Sequence, residues 1–185
     1  MKVFEKTEAD NIIDKGNKTI FISPDVNTIE SGAFCGFKNT EEIIIPEEVK
    51  EIGSWAFYEC SSLNKVKLYT DINFIGENAF LDTAFYRNSE NWQDNVLYLN
   101  DCLIKAKETV NETYFIKDGT RLIAQGAFRC CPKLERVYIP ESVEKICGNA
   151  FTECENLKAI YGGIDTAAEK YAKENGIKFI AVEYN

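Results

Sequence analysis

Isoleucines 29, 52 and 75 lie 23 residues apart; Ile123 follows after 48, and Ile146 after 23 more. Phenylalanines 34, 57, 80, 128 and 151 keep the same intervals, each behind an alanine (Ala33, Ala56, Ala79, Ala127, Ala150), in the phrases IESGAF, IGSWAF, IGENAF, IAQGAF and ICGNAF. A fixed period of this size marks a stacked array. One unit is too small to bury its own apolar side and must lean on its neighbours. Two further columns hold the same register: Ile20, Ile43, Val66, Tyr114, Val137, Ile160, and Ile22, Ile45, Leu68, Ile116, Ile139, the second broken by Gly162. Leu63, Leu134 and Leu157 form another.

Within a unit the periodicity changes. TIFIS (19–23), IIIP (43–46), KVKLY (65–69) and RVYIP (136–140) are short and β-rich, with alternate residues falling in the two apolar columns. This predicts a strand of about five residues, ended at Pro46 and Pro140 because proline cannot donate to a ladder. The other arm, as in IGSWAFYECSSL, reads as a turn with a short helical piece. Stacking then places the strands side by side in a parallel sheet and rests each phenylalanine on the next. Every Ala-Phe is accordingly a core pair: one large plug, and one small residue that lets the backbone approach.

The unit C-x-x-L-x-x-(I/V)-x-I-P-x-x-V-x-x-I-x-x-x-A-F-x-x-C, seen nearly letter for letter in CPKLERVYIPESVEKICGNAFTEC (131–154), resembles the BspA-type (Treponema pallidum-type) leucine-rich repeat. The resemblance covers roughly residues 19–183. It implies an α/β repeat solenoid: a right-handed coil with a parallel β-sheet on its concave face. It also implies recognition or adhesion in some members, since fold alone does not fix function. The expected division is an N-terminal cap at 1–18, repeats at 19–80, an irregular unit at 81–113, repeats at 114–163 and a C-terminal cap at 164–185. In the irregular unit, Asn95–Leu99 and Cys102–Lys107 are two apolar runs joined around Asn100-Asp101. They read as a β-hairpin that resembles an irregular unit of the same family. In the final cap, Thr166-Ala-Ala-Glu169 is a capping box, Ala168, Tyr171 and Ala172 form the apolar stripe of a helix, Gly176 ends it, and IKFIAV (177–182) is a strand.

Composition narrows the chemistry. The 185 residues contain no histidine, which removes His-assisted nucleophiles, His-ligated zinc and the usual general base at neutral pH. No glycine-rich phosphate loop and no paired metal-ligand spacing occurs, so neither a cofactor nor a metal is expected, and the chain reads as non-catalytic. A net charge of −9 without a basic run argues against nucleic acid and anionic membrane surfaces. No run approaches the roughly 20 apolar residues of a membrane span. The first residues lack an apolar signal-peptide core, and with seven cysteines, an odd number, the chain taken by itself reads as a reduced, cytoplasmic protein. As a module of a larger protein it would belong at the cell surface. Cys60, Cys131 and Cys154 recur three residues after the phenylalanines. They read as a ladder of buried, inert thiols, with Cys35, Cys102, Cys130 and Cys147 off the ladder and more exposed.

If the two apolar columns face inward, the residue between them faces outward, onto the concave sheet, which is the expected recognition face. That column is Phe21, Ile44, Lys67, Phe115, Tyr138 and Tyr161, with Arg136 and Glu42 in the column on one side and Tyr69 on the other. An aromatic stripe rimmed by charge on a wide sheet fits a protein-binding face. Phe115, Tyr138 and Tyr161 would anchor the partner, and Lys67, Arg136 and Glu42 would set specificity. Two plainer readings stand beside it: the rings stabilise each other across strands, or the hairpin or the N-terminal segment folds over them. The partner expected is a protein or another macromolecule, self-association included. The alternative role is a passive spacer.

Overall fold

The computed structural model describes residues 2–5, 18–69 and 71–183. The N-terminal cap expected over 1–18 therefore lies mostly outside the described residues. The chain divides into two compact units, Met1–Trp92 and Gln93–Asn185, with the boundary inside the irregular segment.

In the first unit the strands are β1 (Lys2–Phe4), β2 (Thr19–Phe21), β3 (Val26–Ile29), β4 (Glu42–Ile45), β5 (Glu51–Ile52), β6 (Lys65–Leu68) and β7 (Phe74–Ile75), followed by the short helix α1 (Ala84–Arg87). They form two parallel sheets, β2-β4-β6 and β1-β3-β5-β7. The first is the repeat sheet expected from the apolar columns, paired Ile20↔Ile43↔Val66. Ile20, Ile22, Ile43 and Ile45 are buried, and Val66 is only half-buried. The second sheet was not foreseen. Its strands are only two to four residues long; β3, β5 and β7 each end on one isoleucine of the 23-residue series, Ile29, Ile52 or Ile75, all fully buried, and β1 sets Phe4 against Ile29.

The arm after each of these isoleucines is a run of turns where a helical piece was expected. In the second coil Ala56, Tyr58 and Cys60 donate to carbonyls three residues back. The same arm also bonds outward to the next coil, Trp55 N to Glu77 O and Phe57 N to Ala79 O. Those cross-coil bonds compete with the i→i−4 pattern that a helix needs. Close approach of the coils also fixes residue choice: a Cβ on Gly53 would lie 2.4 Å from the Ser31 nitrogen.

The core is a column of rings. Phe4, Phe34, Phe57 and Phe80 stack in turn with centroids 5.0, 5.2 and 5.2 Å apart, close to the spacing of paired strands. The column ends where Phe85 of α1 meets Phe80 edge-on at 6.2 Å. Thr83 caps that helix, accepting from Tyr86 N at 3.0 Å.

After β8 (Trp92–Gln93), the second unit holds β9 (Val96–Leu99), β10 (Cys102–Ala106), β11 (Thr113–Phe115), β12 (Leu122–Ile123), β13 (Arg136–Tyr138), β14 (Lys145–Ile146), β15 (Ala159–Gly162), α2 (Ala167–Glu174) and β16 (Phe179–Ala181). The expected hairpin is present, β9 against β10 with Leu99 opposite Cys102. β10 also pairs in parallel with β12, and β12 with β14. Leu103 thereby takes the place that isoleucine holds in a regular coil. The hairpin is held by Lys105 Nζ on Gly126 O at 2.9 Å and by Asp101 against Arg121 at 3.0 Å. The other sheet is β11-β13-β15-β16, all parallel.

Here too the rings stack, Phe128 on Phe151 at 4.9 Å, and a helix closes the column, Tyr171 of α2 meeting Phe151 edge-on at 5.7 Å. Gly162 breaks the apolar column because α2 packs there: a Cβ would lie 2.8 Å from that of Ala168. The expected capping box forms only in part. Glu169 accepts from Asp165 N at 2.7 Å, one residue earlier than foreseen, while the Thr166 hydroxyl turns back to Gly163 O. Ala168, Tyr171 and Ala172 are buried, and Gly176 ends the helix at φ +66°.

Candidate functional site

Strand register sets the candidate surface in each unit. In the second unit Phe115, Tyr138 and Tyr161 are directly paired neighbours on β11, β13 and β15. Their rings lie face to face at 4.3 Å, tilted by 16°, twice over. Phe115 is 65% exposed on the edge strand; Tyr138, with a ring on each face, and Tyr161, stacked on Tyr138, are half-buried. The hairpin pairs into the other sheet, and its Tyr98 hydroxyl reaches the Tyr114 hydroxyl at 3.2 Å, leaving Phe115 open. Beside the rings, Arg136 donates to the Thr113 hydroxyl at 3.3 Å and pairs with Glu135, which also takes Lys158 at 2.6 Å.

In the first unit the same column runs Phe21, Ile44, Lys67 and makes no such stack. Phe21 is 68% exposed, Ile44 half-buried, and Lys67 is drawn to Glu42 at 3.0 Å, with Lys65 on the same oxygen at 3.1 Å. Those two ammoniums, Lys67 first, hold the Glu42 carboxyl below its usual range. Tyr69, in the flanking column, is 64% exposed. The structure thus gathers Phe115, Tyr138, Tyr161 and Arg136 on one face, and Phe21, Ile44, Lys67, Glu42 and Tyr69 on the corresponding face of the first unit.

The repeats identify the family. Six copies of the BspA type leucine-rich repeat region match, over residues 14–115 and 89–168. The chain belongs to the BspA-type leucine-rich-repeat family. Among solved structures, the Treponema pallidum leucine-rich repeat protein is similar at 21% identity and a TM-score of 0.42, over 79% of this chain and 59% of that one. A leucine-rich cell surface protein from Faecalibacterium prausnitzii is similar at 23% identity and 0.39, over 88% and 35%. The pneumococcal vaccine antigen PcpA is similar at 19% identity and 0.35, over 77% and 50%. The chain therefore spans less than two thirds of each of these structures. No curated protein matches it.

The BspA-type cysteine ladder is buried as expected at Cys60 and Cys131, and Cys154 is half-buried. Cys60 donates to Phe34 O at 3.0 Å and Cys154 to Phe128 O at 3.0 Å; burial pushes the Cys60 thiol up to about 12. The expectation that the other four are more exposed fails at two of them. Cys102 and Cys147 are buried, because β10 and the strand end after Ile146 turn these residues under the neighbouring coil. Cys35 and Cys130 are half-exposed.

Register reasoning on the repeat strands passes over one exposed aromatic, Trp55, which lies on the turn arm of the first unit. The residue before Ala-Phe has positive φ throughout: Gly32 +68°, Trp55 +53°, Asn78 +58°, Gly126 +63° and Asn149 +60°. Glycine and asparagine tolerate that conformation, whereas a bulky side chain there costs about 1–2 kcal/mol. The signal was readable in the column of letters G, W, N, G, N.

Proposed function

We propose that the chain is a non-catalytic recognition module that binds a protein, or another macromolecule, through the outer face of its repeat sheets. The row Phe115–Tyr138–Tyr161 supports this reading. It presents three rings on one face, the first 65% exposed, beside the charged groups of Arg136, Glu135 and Lys158. Rigid aromatic anchors with a charged rim are what interface hot spots are made of. Arg136 and Lys67 set specificity, and adhesion to another cell's surface protein is the narrower form of the same reading. Among the described residues no helix is long and apolar enough to cross a membrane.

A second reading has its own observation. Rings stacked at 4.3 Å support each other across strands, and a spacer whose sheet needs such support would show the same row. Affinity capture with wild type, Phe115→Ser and Tyr138→Ala separates the two. Recognition predicts that a partner held by wild type is lost from both variants, weakened by about 1–2 kcal/mol or more, while circular dichroism and melting of Phe115→Ser stay as wild type. Equal capture by all three, with Tyr138→Ala merely less stable, would leave the spacer.

A further inference from the structure

The ladder position, three residues after each phenylalanine of the series, is filled by Phe37, Cys60 and Thr83 in the first unit and by Cys131 and Cys154 in the second. Only the second unit therefore sets cysteine on consecutive coils. Cys60 and Cys154 sit alike in their coils. Each thiol donates to a carbonyl of the coil before it, Cys60 to Phe34 O and Cys154 to Phe128 O, both at 3.0 Å. Each sulfur also meets the ladder N–H of that coil, from Phe37 in one case and from Cys131 in the other. The neighbouring ladder side chain is what differs. For Cys60 it is a phenylalanine; for Cys154 it is the Cys131 thiol, which hydrogen-bonds to it.

The geometry suits a bond between the two sulfurs. One period separates the residues, and the rings three residues before them, Phe128 and Phe151, stack with centroids 4.9 Å apart. Coils at that spacing fall inside the roughly 4.4–6.8 Å between α-carbons that a disulfide spans. Backbone bonds hold the two arms in register, Phe128 N to Ala150 O at 2.7 Å and Cys130 N to Thr152 O at 3.2 Å. The pair is reachable from one side only. Cys131 is fully buried, whereas Cys154 is half-buried and lines a cleft of 320 Å³ with Glu153, Leu157, Tyr171 and Asn175. Hydrogen bonding favours Cys154 as the thiolate. The Cys131 thiol and, after it, the Cys131 backbone N–H hold the Cys154 sulfur below the ordinary thiol range, and donating that bond holds Cys131 above it. Cys130, next in sequence, is engaged elsewhere, its thiol on a Glu153 carboxylate oxygen at 2.8 Å.

We infer that Cys154 and Cys131 form an oxidation site, Cys154 reacting with a hydroperoxide that enters the cleft and Cys131 closing a disulfide onto it. With hydrogen peroxide, the Cys154 thiolate attacks one oxygen and the O–O bond breaks. Cys154 becomes a sulfenic acid, and the departing hydroxide takes up the proton that the thiol gave. The Cys131 sulfur then attacks the Cys154 sulfur. The S–S bond forms, the S–O bond breaks, and the Cys131 proton leaves with the oxygen as water. Two thiols lose two electrons, and one hydrogen peroxide becomes two waters. The bond joins the arms that lead into β13 and β15, the strands that carry Tyr138 and Tyr161.

The test exposes the whole reduced protein to hydrogen peroxide at neutral pH, caps remaining thiols with N-ethylmaleimide in denaturant, and digests without reductant for mass spectrometry. The first disulfide to form should join Cys131 to Cys154, assigned by fragmentation, with Cys60 recovered as the capped thiol. Cys130→Ser should form it equally. In Cys131→Ser the sulfenic acid has no resolving thiol, so dimedone should label Cys154; Cys154→Ser should lose both the disulfide and the label. Threonine already fills the ladder position at Thr83, so serine fits there by size, and circular dichroism checks the fold of each variant. If a variant does not fold, the wild-type product alone decides. No disulfide in wild type, a first disulfide through Cys130 or Cys147, or dimedone labelling of Cys60 equal to that of Cys154 would each overturn the assignment.

Discussion

The two units place the same positions at the same register and fill them differently. Facing inward, both obey one rule: a buried apolar or aromatic residue on each repeat strand and a phenylalanine stack spaced by the strands themselves. Facing outward, the first unit sets Phe21, Ile44 and a lysine held by Glu42, while the second sets three rings at 4.3 Å. On the turn arms the contrast reverses, with an exposed tryptophan and only acidic charges in the first unit, and mixed charge in the second. Inward positions answer to packing, which every coil shares. Outward positions are released from it, and that is where two copies of one design become two different surfaces.

If the inward rule is common, matched core truncations must cost the same in either unit. Phe57→Ala and Phe128→Ala each remove a fully buried ring from a stack. Each should destabilise by about 3–5 kcal/mol in chemical denaturation; a small loss in one unit alone would break the parallel. The outward difference should be transferable, at a smaller scale. Ile44→Tyr sets a ring beside Phe21, its direct cross-strand neighbour. By the worth of an aromatic pair it should raise stability by about 0.5–1.5 kcal/mol, and a loss would show that the first unit's sheet does not accept the second unit's arrangement.

The smallest effect is electrostatic. Glu42 has its folded pKa depressed by Lys67 and Lys65. Its contribution is therefore complete above the ordinary carboxylate value and is lost as pH falls through the lower folded value. Carboxyl chemical shifts should place the Glu42 midpoint below 4.5, and Lys67→Met should move it upward. An unchanged midpoint in that variant would detach Lys67 from the carboxylate.

What could be read in advance follows from how each element is specified. The repeat sheet, the ring column and the hairpin are written in local patterns: alternation over five residues, Ala-Phe at a fixed period, and Asn100-Asp101 between two apolar runs. The second sheet was hidden because two-residue strands such as Glu51–Ile52 carry no alternation to detect. Helix α1 escaped because four residues hold no period, and its role appears only in Phe85 meeting Phe80. Exposure of Phe115 was legible from register. The stacking of Tyr138 between its neighbours was legible as the cross-strand reading; its closeness, 4.3 Å, is set by side-chain packing that the sequence does not state. Cys102 and Cys147 were misread because their burial comes from the coil above them, which spacing along the chain does not reveal.

Each ring column ends the same way, in one aromatic side chain turned edge-on from a helix: Phe85 in the first unit and Tyr171 in the second. Within a column the stacked phenylalanine meets the phenylalanine of the neighbouring coil, so the packing of one coil is set by its neighbours and not by how many others exist. A gene for a chain built this way can gain or lose 69 bases, one period of 23 codons, and still place every phenylalanine against another. Array length then becomes something heredity varies as freely as a surface residue, and reach and surface area can drift between descendants while the packing rule stays untouched.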